Sequence, residues 1–213
     1  MTTSPRVSEA WDNWRARVDL NEYHARWQQM EVRGESSHGE ADFIESLVDQ
    51  RRTAKVLDAG CGMGRIAIEL HRRGIEVEGA DLDDDLLAFA RVDAPAIRWH
   101  LADLATALFE STYELVAMPG NVMIFCRIDD RAKIVANLAR HLSDNGLLVA
   151  GFSLESAPDA LTLSEYDAAC AGAGLALDDR FATWDRDRYE GGDYAVSVHR
   201  RKVCDALRVA IDC

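Results

Sequence analysis

Three glycines at alternate positions, Gly60, Gly62 and Gly64, form the part of this sequence best suited to hold a ligand. They follow a short apolar segment that ends in Asp58, and an apolar helical pattern begins directly after them. Glycine permits positive φ, and it lets a ligand approach the backbone where a Cβ atom would collide. A helix that starts here directs its first N–H groups and the positive end of its dipole at that ligand. The pattern therefore predicts a strand, a ligand-binding loop and a helix.

The spacing of these glycines differs from two common nucleotide-binding loops. The dinucleotide fingerprint is Gly-x-Gly-x-x-Gly, and its last glycine permits close packing of the helix on the strand. Arg65 occupies that position here, and its long charged side chain would obstruct such packing. The loop also lacks the Gly-Lys-Ser/Thr ending of a phosphate-binding P-loop. Because Asp58 would repel a pyrophosphate, the loop better suits a ligand that carries an ammonium or sulfonium group.

The run that ends at Gly64, Leu-Asp-Ala-Gly-Cys-Gly-Met-Gly, closely resembles motif I of the class I S-adenosylmethionine-dependent methyltransferases. The resemblance implies that this loop binds the methionine end of the cofactor. A tight strand–helix turn in another kind of α/β protein is the alternative interpretation, but the later segments agree with the methyltransferase family. The cofactor contacts expected in this segment are Asp58, Ala59, Gly60, Cys61, Gly62 and Gly64.

A second predicted strand, over residues 75–81, also ends in an acid, Asp81. Doubly wound folds place an acid at this point to accept hydrogen bonds from ribose hydroxyl groups. In the family that it resembles, the matching acid binds the adenosyl ribose, and the next residue, Leu82, would pack on the adenine. The acids at 83–85 are interpreted as the cap and first turn of the next helix, where negative charge is favourable.

A third strand leads into the run Ala102-Asp103-Leu104, which the resemblance assigns to the adenine end of the cofactor. Asp103 is the candidate partner of the adenine amino group. The alternative is that Asp103 only caps a helix over residues 104–109.

The fourth strand, over residues 113–118, ends before a Pro-Gly turn. In the family fold this end faces both cofactor and acceptor, so Met118 is a predicted cofactor contact, and Asn121 and Phe125 are predicted acceptor contacts. The sequence contains no Asn/Asp-Pro-Pro-aromatic run, which is typical of enzymes that methylate nucleobase amino groups. It also contains no Pro-Cys pair, which carries the cysteine nucleophile of cytosine-C5 methyltransferases. These features favour a small-molecule acceptor.

Residues 1–50 are interpreted as a helical lid that precedes the core. Trp11, Trp14, Tyr23 and Trp27 recur at helical spacings, and residues four positions apart share a helix face. The aromatic side chains either pack a helix on the core or cover the cofactor, and the two interpretations are compatible.

Two catalytic candidates lie in this N-terminal segment, Tyr23 and His38. His38 follows a polar stretch beside Gly39 and Glu40, where it could steer the methionine ammonium group or act as a base. The simpler alternative is that these residues start and cap a helix, and for Glu40 that alternative is preferred.

The predicted fold is α/β, a doubly wound, seven-stranded, mostly parallel sheet with one antiparallel strand. The resemblance covers about residues 40–202. The domain division is a lid at 1–50, a methyltransferase core at 51–202 and an unassigned tail at 203–213, with one domain overall. The later predicted elements are a helix at 131–142, a turn at 143–146, a strand at 147–152, a capped helix starting at 162, and strands at 175–184 and 194–202.

Composition restricts the classes of partner and compartment. The net charge of −13 argues against nucleic acid as acceptor, since phosphate contacts dominate such affinity. No apolar stretch is long enough for a membrane span, and the N-terminus does not resemble a signal peptide. Five cysteines without a Cys-x-x-Cys pair favour a reduced, cytoplasmic protein, and the histidines show no metal-ligand spacing. A monomer and a homodimer both remain open.

The sequence therefore predicts transfer of a methyl group from S-adenosylmethionine to a small molecule by in-line displacement, without a metal. Because the sulfonium is already an activated donor, catalysis would come mainly from alignment. A base is needed only when the acceptor attacks in a protonated form. Two alternatives are a regulatory protein that binds the cofactor without turnover and a nicotinamide-dependent oxidoreductase, which the glycine spacing and Arg65 oppose.

Overall fold

A computed structural model of the protein describes residues 7–33, 39–48, 54–154 and 160–202. The predicted catalytic residue His38 and the tail at 203–213 lie outside these ranges. The helices are α1 (Glu9–Arg15), α2 (Leu20–Val32), α3 (Gly39–Leu47), α4 (Arg65–Arg72), α5 (Asp84–Asp93), α6 (Val122–Phe125), α7 (Ile128–Arg140) and α8 (Leu163–Gly172). The strands are β1 (Lys55–Ala59), β2 (Glu76–Asp81), β3 (Arg98–Leu101), β4 (Tyr113–Met118), β5 (Leu142–Ser153), β6 (Leu175–Phe181) and β7 (Tyr194–Arg201).

The seven strands form one sheet in the order β3-β2-β1-β4-β5-β7-β6. Strand β7 runs antiparallel to both of its neighbours, and the strands from β3 to β5 are parallel. The predicted α/β fold with a single antiparallel strand is therefore confirmed. The strand order reverses between β1 and β4, and open α/β sheets bind ligands at the carboxyl ends of strands at such a point.

Side chains along the central strands point alternately to the two faces of the sheet, so the core is divided into two clusters, one on each face. Val56 packs in one buried cluster with residues of α3 and α4, and the next residue, Leu57, packs in the other with residues of α7 and α8. Successive side chains of a strand point to opposite faces, so one strand supplies both clusters. Parallel strands covered by helices on both faces are continuously apolar, which explains the buried run at the end of β4.

Several predicted elements differ from the structure, among them a predicted turn and the start of a helix. The turn predicted at 143–146 is an irregularity within β5, because Leu142 pairs with Tyr113 and Leu147 pairs with Leu115. The chain does bend there, with Asn145 at φ 63°, but both flanks remain in the sheet. In addition, α7 begins at Ile128, before the predicted start at 131.

The capping prediction at Thr162 is confirmed. Its hydroxyl accepts the backbone N–H of Glu165, and the Glu165 carboxylate accepts the Thr162 N–H at 2.9 Å. This reciprocal pair satisfies two N–H groups that would otherwise lack partners at the helix start.

The three N-terminal helices differ in their burial. Phe43 and Ile44 of α3 are buried in the core, at 2% and 0% exposure. No residue of α1 is buried, and this helix contacts α6 at the carboxyl end of the sheet. Within the described ranges, every helix is too short or too polar to cross a membrane.

Candidate functional site

A cavity of about 360 Å³ opens at the carboxyl ends of β1, β2 and β4, where the strand order reverses. Residues predicted from five separate segments of the sequence line it. They are Tyr23, Gly60, Gly62, Asp81, Leu82, Asp103, Leu104, Asn121 and Phe125. We call this space the loop cavity. The parallel sheet brings these residues together because each follows the carboxyl end of a strand or lies on a helix above those ends.

The glycine loop is held tightly between β2 and α6. The backbone N–H groups of Gly60 and Cys61 donate to the carbonyl oxygen of Ala80 at 2.7 and 3.0 Å. Gly60 has φ 80°, and a Cβ atom added to it would lie 2.5 Å from the side chain of Val122. Both the conformation and the space therefore require glycine at this position.

Arg65, at the position where the dinucleotide pattern has glycine, extends toward the N-terminal helices. Its guanidinium donates to the two carboxylate oxygens of Glu40 at 3.1 and 2.6 Å. The same group lies 4.6 Å from the ring centre of Trp27, within the range of a cation–π contact. Arg65 therefore ties α2 and α3 to the glycine loop, a role that Glu40 shares in addition to its place in the first turn of α3.

Asp58 is buried beneath the loop, with 1% exposure. Its Oδ2 atom accepts the Ala67 N–H at 3.1 Å, whereas Oδ1 is buried and has no hydrogen-bond partner among the described residues. Burial raises the pKa of this carboxyl to about 7. A buried oxygen of this kind needs a donor, which a ligand or a water molecule can supply.

Asp81 presents a fixed carboxylate to the loop cavity. It accepts the N–H groups of Gly62 and Asp83 at 2.7 and 2.9 Å, one on each oxygen. Burial raises its pKa to about 6, against the effect of these two hydrogen bonds. Each oxygen retains a lone pair that can accept a further donor from a ligand.

Asp103 caps a local turn and also lies at the wall of the loop cavity. Its Oδ1 atom accepts the Ala105 N–H at 2.8 Å, so the side chain does cap a local turn. The helix expected at 104–109 does not form, and the chain makes only a short turn there. Asp103 also lines the loop cavity, so capping and ligand contact are compatible.

Some predicted cofactor residues are not among the described residues that line the cavity, namely Asp58, Ala59, Cys61, Gly64, Ala102 and Met118. The side chains of Ala59 and Met118 are fully buried in the core. Cys61 is buried as well, and burial raises the pKa of its thiol. A Cβ atom added to Gly64 would lie 2.5 Å from Trp99, so this glycine permits close packing of the loop on β3.

Aromatic side chains from α1, α2 and α6 form a continuous row along one side of the cavity. Ring centres are 5.7 Å apart from Phe125 to Trp11, 5.0 Å from Trp11 to Trp14, 5.6 Å from Trp14 to Tyr23 and 5.8 Å from Tyr23 to Trp27. All but Trp27 line the loop cavity. The aromatic side chains of the N-terminal helices therefore border the loop cavity.

Ion pairs attach these helices to both ends of α5. Arg15 contacts Asp83 and Asp85 at 2.6 and 2.7 Å, and His24 contacts Asp93 at 2.6 Å. Asp83 also caps α5 as predicted, since its side chain accepts the N–H of Asp85. The sequence contains no signal for these pairs, because their members are far apart in the chain.

A second cavity of about 900 Å³ adjoins the first, and we call it the outer cavity. Asn121, Cys126 and Arg127 line both spaces, and Arg131 lines the outer one. Sequence reasoning missed both arginines, because neither belongs to a recognisable motif.

Asn121 Oδ1 accepts the Ser153 N–H at 2.8 Å, which ties the end of β4 to the end of β5. Burial raises the pKa of Cys126 to about 12, so its thiol is protonated. Across the described ranges, no group of three or more His, Cys, Asp or Glu side chains is arranged to hold a metal ion.

Comparisons of the sequence and of the structure with known proteins both find similarity to methyltransferases. A family model described as a methyltransferase domain matches residues 56–146. The crystal structure of a TehB-like SAM-dependent methyltransferase from Corynebacterium glutamicum is 34% identical, with a TM-score of 0.77 over 85% of this chain and 97% of that chain.

Two curated relatives match over shorter stretches. The magnesium-protoporphyrin O-methyltransferase of Rhodobacter capsulatus is 29% identical over 47% of this chain and 46% of the relative. The malonyl-[acyl-carrier protein] O-methyltransferase of Enterobacter lignolyticus is 34% identical over 51% of this chain and 42% of the relative. The matched region thus spans less than half the length of either curated relative.

Proposed function

The chain belongs to the class I S-adenosylmethionine-dependent methyltransferases, and we propose that it transfers the methyl group of that cofactor to a small-molecule acceptor. The observation that carries the proposal is the loop cavity, whose wall combines the glycine loop with Asp81 and Asp103. The two curated relatives described above are named as O-methyltransferases, and these names support an oxygen atom as the methyl acceptor.

The residues around the loop cavity fit this cofactor chemically. The buried Oδ1 atom of Asp58 needs a donor, and the ammonium group of the methionine part supplies one directly or through water. Two further carboxylates, Asp81 and Asp103, suit a ligand that carries positive charge and hydroxyl and amino donors. A Cβ atom at Gly60 would collide with Val122, so this glycine keeps the loop in close contact with α6 at the wall of the cavity.

In this proposal the glycine loop, Asp81, Leu82 and Asp103 keep the roles that the family resemblance implies, and the roles of the other predicted residues are adjusted to their positions. The loop from Gly60 to Gly64 holds the methionine part, and Asp81 accepts hydrogen bonds from the ribose. Leu82 and Leu104 pack on the adenine ring, whose amino group donates to Asp103. Ala59, Cys61, Ala102 and Met118 shape the wall from behind.

The cofactor supplies an activated methyl group, so the protein's task is alignment and exclusion of water. Holding two reactants in line can lower a barrier by up to about 7–11 kcal/mol. The aromatic row closes one side of the cavity, with Tyr23 as the catalytic candidate in that row. Asn121 and Phe125 lie where an acceptor would enter, and His38 stays a candidate from the sequence alone.

The proposal is tested by calorimetric titration with S-adenosylmethionine, S-adenosylhomocysteine, NAD and NADP. We expect binding of the first pair alone, and a loss of at least about 10-fold in affinity in Asp81→Asn, which keeps the shape but removes the charge. Asp144→Asn, an exposed change of the same type, is the matched control. Binding of NAD in place of the sulfonium pair would refute the proposal.

Turnover is tested separately from binding, by release of S-adenosylhomocysteine in a screen of acceptors. Tight cofactor binding without release in any acceptor class would favour the regulatory alternative.

A further inference from the structure

The outer cavity is the natural place for the acceptor if the proposed function is correct, because it opens directly beside the loop cavity. Asn121, Cys126 and Arg127 form the shared wall, so a group held there lies next to both spaces. The chemistry of this junction therefore bears on what the acceptor is.

The shared wall carries a guanidinium with incomplete hydrogen bonding. The Nε atom of Arg127 is buried and has no hydrogen-bond partner among the described residues. Its contact with Asp130 measures 3.6 Å, which is longer than a hydrogen bond, and Asp130 is bonded to Lys133 at 2.7 Å. A buried donor without a partner costs free energy, so a ligand acceptor atom at Arg127 would remove a penalty.

The neighbouring donors reinforce this preference. Arg131 lies one turn further along α7, its backbone N–H bonded to the Arg127 carbonyl oxygen at 3.2 Å, and it also lines the outer cavity. Asn121 uses its Oδ1 atom on Ser153, which leaves its amide N–H groups as the donors that it can offer to a ligand.

The acids of the outer cavity stand at its exposed rim. Glu9, Asp129 and Asp193 are all exposed, so water screens their charges. The rest of the wall includes apolar side chains such as Ile124 and Ile128. The half-buried wall is thus rich in donors and positive charge, and it borders an apolar surface.

We propose that the acceptor is a carboxylic acid with an apolar body, and that the carboxylate held at Arg127 is the group that becomes methylated. One carboxylate oxygen accepts hydrogen bonds from the guanidinium, and a lone pair of the other attacks the methyl carbon. The new O–C bond forms as the C–S bond breaks, with its electron pair retained on sulfur. The negative charge of the acceptor and the positive charge of the sulfonium disappear together, and no proton is released.

This acceptor class needs no general base, because a carboxylate is already ionised at neutral pH. The described residues lining the two cavities include no histidine and no lysine. An ammonium acceptor would instead require a base, and it would face the guanidinium of Arg127.

Binding is tested with protein saturated with S-adenosylhomocysteine. The probes are two matched series, 3-phenylpropionate with its amide and amine, and decanoate with its amide and amine. We expect at least one carboxylate to bind at least about 10-fold more tightly than its amide and amine, and Arg127→Gln to abolish that difference. Arg188→Gln, which changes an arginine 88% exposed at its side chain, is the matched control and should retain it.

The identity of the methylated atom is tested with cofactor that carries a labelled methyl group. A methyl ester releases labelled methanol in alkali, whereas a methylated amine or an ether does not. We expect alkali-labile label from the carboxylates that bind, and stable label from them would overturn the inference.

Several outcomes separate this inference from the proposed function. Binding of S-adenosylhomocysteine with no carboxylate preferred over its amide would overturn the inference alone. A greater loss of S-adenosylhomocysteine affinity than of carboxylate affinity in Arg127→Gln would assign Arg127 to the cofactor and overturn it as well. If that variant does not fold, Arg127→Lys serves instead, since lysine keeps the charge but loses the paired donors, and an undiminished preference would count against the inference. Absence of S-adenosylhomocysteine binding would overturn the proposed function, on which the inference rests.

Discussion

Replacement of Gly60 by alanine tests whether the glycine loop is held in place by sterics as well as by backbone conformation. Gly60 has φ 80°, and an added Cβ atom would lie 2.5 and 2.7 Å from the two methyl groups of Val122. Gly74 has nearly the same φ, 83°, but nothing lies within 4 Å of its added Cβ. The pair therefore separates the conformational cost from the cost of the collision.

The expected magnitudes follow from these two geometries. An alanine in the left-handed region costs about 1–2 kcal/mol, and this cost applies to both positions. Overpacking costs about 1–3 kcal/mol more, and it applies to Gly60 alone. Val122 cannot turn aside easily, because β-branched side chains have a restricted χ1 in a helix. Gly60→Ala should thus lose about 2–5 kcal/mol of unfolding free energy, and Gly74→Ala about 1–2 kcal/mol.

The assay is urea unfolding of both variants, with and without S-adenosylhomocysteine. At a ligand concentration of about 100 times Kd, binding should stabilise the natural protein and Gly74→Ala by about 2.7 kcal/mol. Gly60→Ala should lose most of this ligand-dependent gain, since Val122 and Gly60 both line the loop cavity. Adding Val122→Ala to Gly60→Ala should recover part of the stability.

Equal losses in the two glycine variants would refute the steric argument, because only the shared conformational cost would then be present. Retention of the full ligand-dependent gain by Gly60→Ala would show that the backbone at this position does not face the cofactor. Either result would also remove one of the supports for the proposed binding mode.

Three further predictions concern buried charges and the attachment of the N-terminal helices. Burial opposes ionisation of Glu78, but hydrogen bonds from Lys55, Tyr113 and His100 outweigh it and lower its pKa to about 2. The stabilisation of the fold by ionised Glu78 should therefore be complete above the ordinary pKa of 4.5 and be lost as the pH falls toward 2. The melting temperature of Glu78→Gln should accordingly fall less steeply with decreasing pH in this range than that of the natural protein. Burial raises the pKa of Asp58 from 3.8 to about 7, so its ionisation destabilises the fold progressively as the pH rises through that window. Asp58→Asn should gain roughly 1–4 kcal/mol of unfolding free energy at about pH 8 while losing cofactor affinity, and a loss of stability there would contradict this account. Arg65→Leu removes the ties to Glu40 and Trp27, so stopped-flow measurements should show faster S-adenosylhomocysteine dissociation, with Arg188→Leu as the control.

The sequence by itself determined the fold class and several of the residues that line the loop cavity, because both depend on local patterns. Glycines at alternate positions, apolar strands and acids at strand ends are all short-range features. Parallel pairing then forces the carboxyl ends of the strands to meet at one edge of the sheet. Together with the family resemblance, this rule assigned Asp81, Asp103 and Asn121 to one site before the structure was known, and all three line the loop cavity.

Local patterns failed where tertiary pairing overrides them. The turn signal at 143–146 is satisfied by a bend inside β5, since both of its flanks pair with β4. Residues 104–109 have a cap but no helix, because Asn137 of α7 donates to the carbonyl oxygens of Leu104 and Ala107 at 3.0 and 2.8 Å. These hydrogen bonds connect residues about thirty positions apart.

Only the tertiary structure decided which charges are buried and which side chains close the site. Arg15 contacts Asp83, and Arg65 contacts Glu40 and Trp27, although the members of each pair are far apart in the sequence. The environment of Arg127 likewise depends on how α6 and α7 pack beside the sheet. Desolvation is a property of the packed molecule, so no spacing rule in the sequence reports that the Arg127 Nε atom is buried without a hydrogen-bond partner among the described residues.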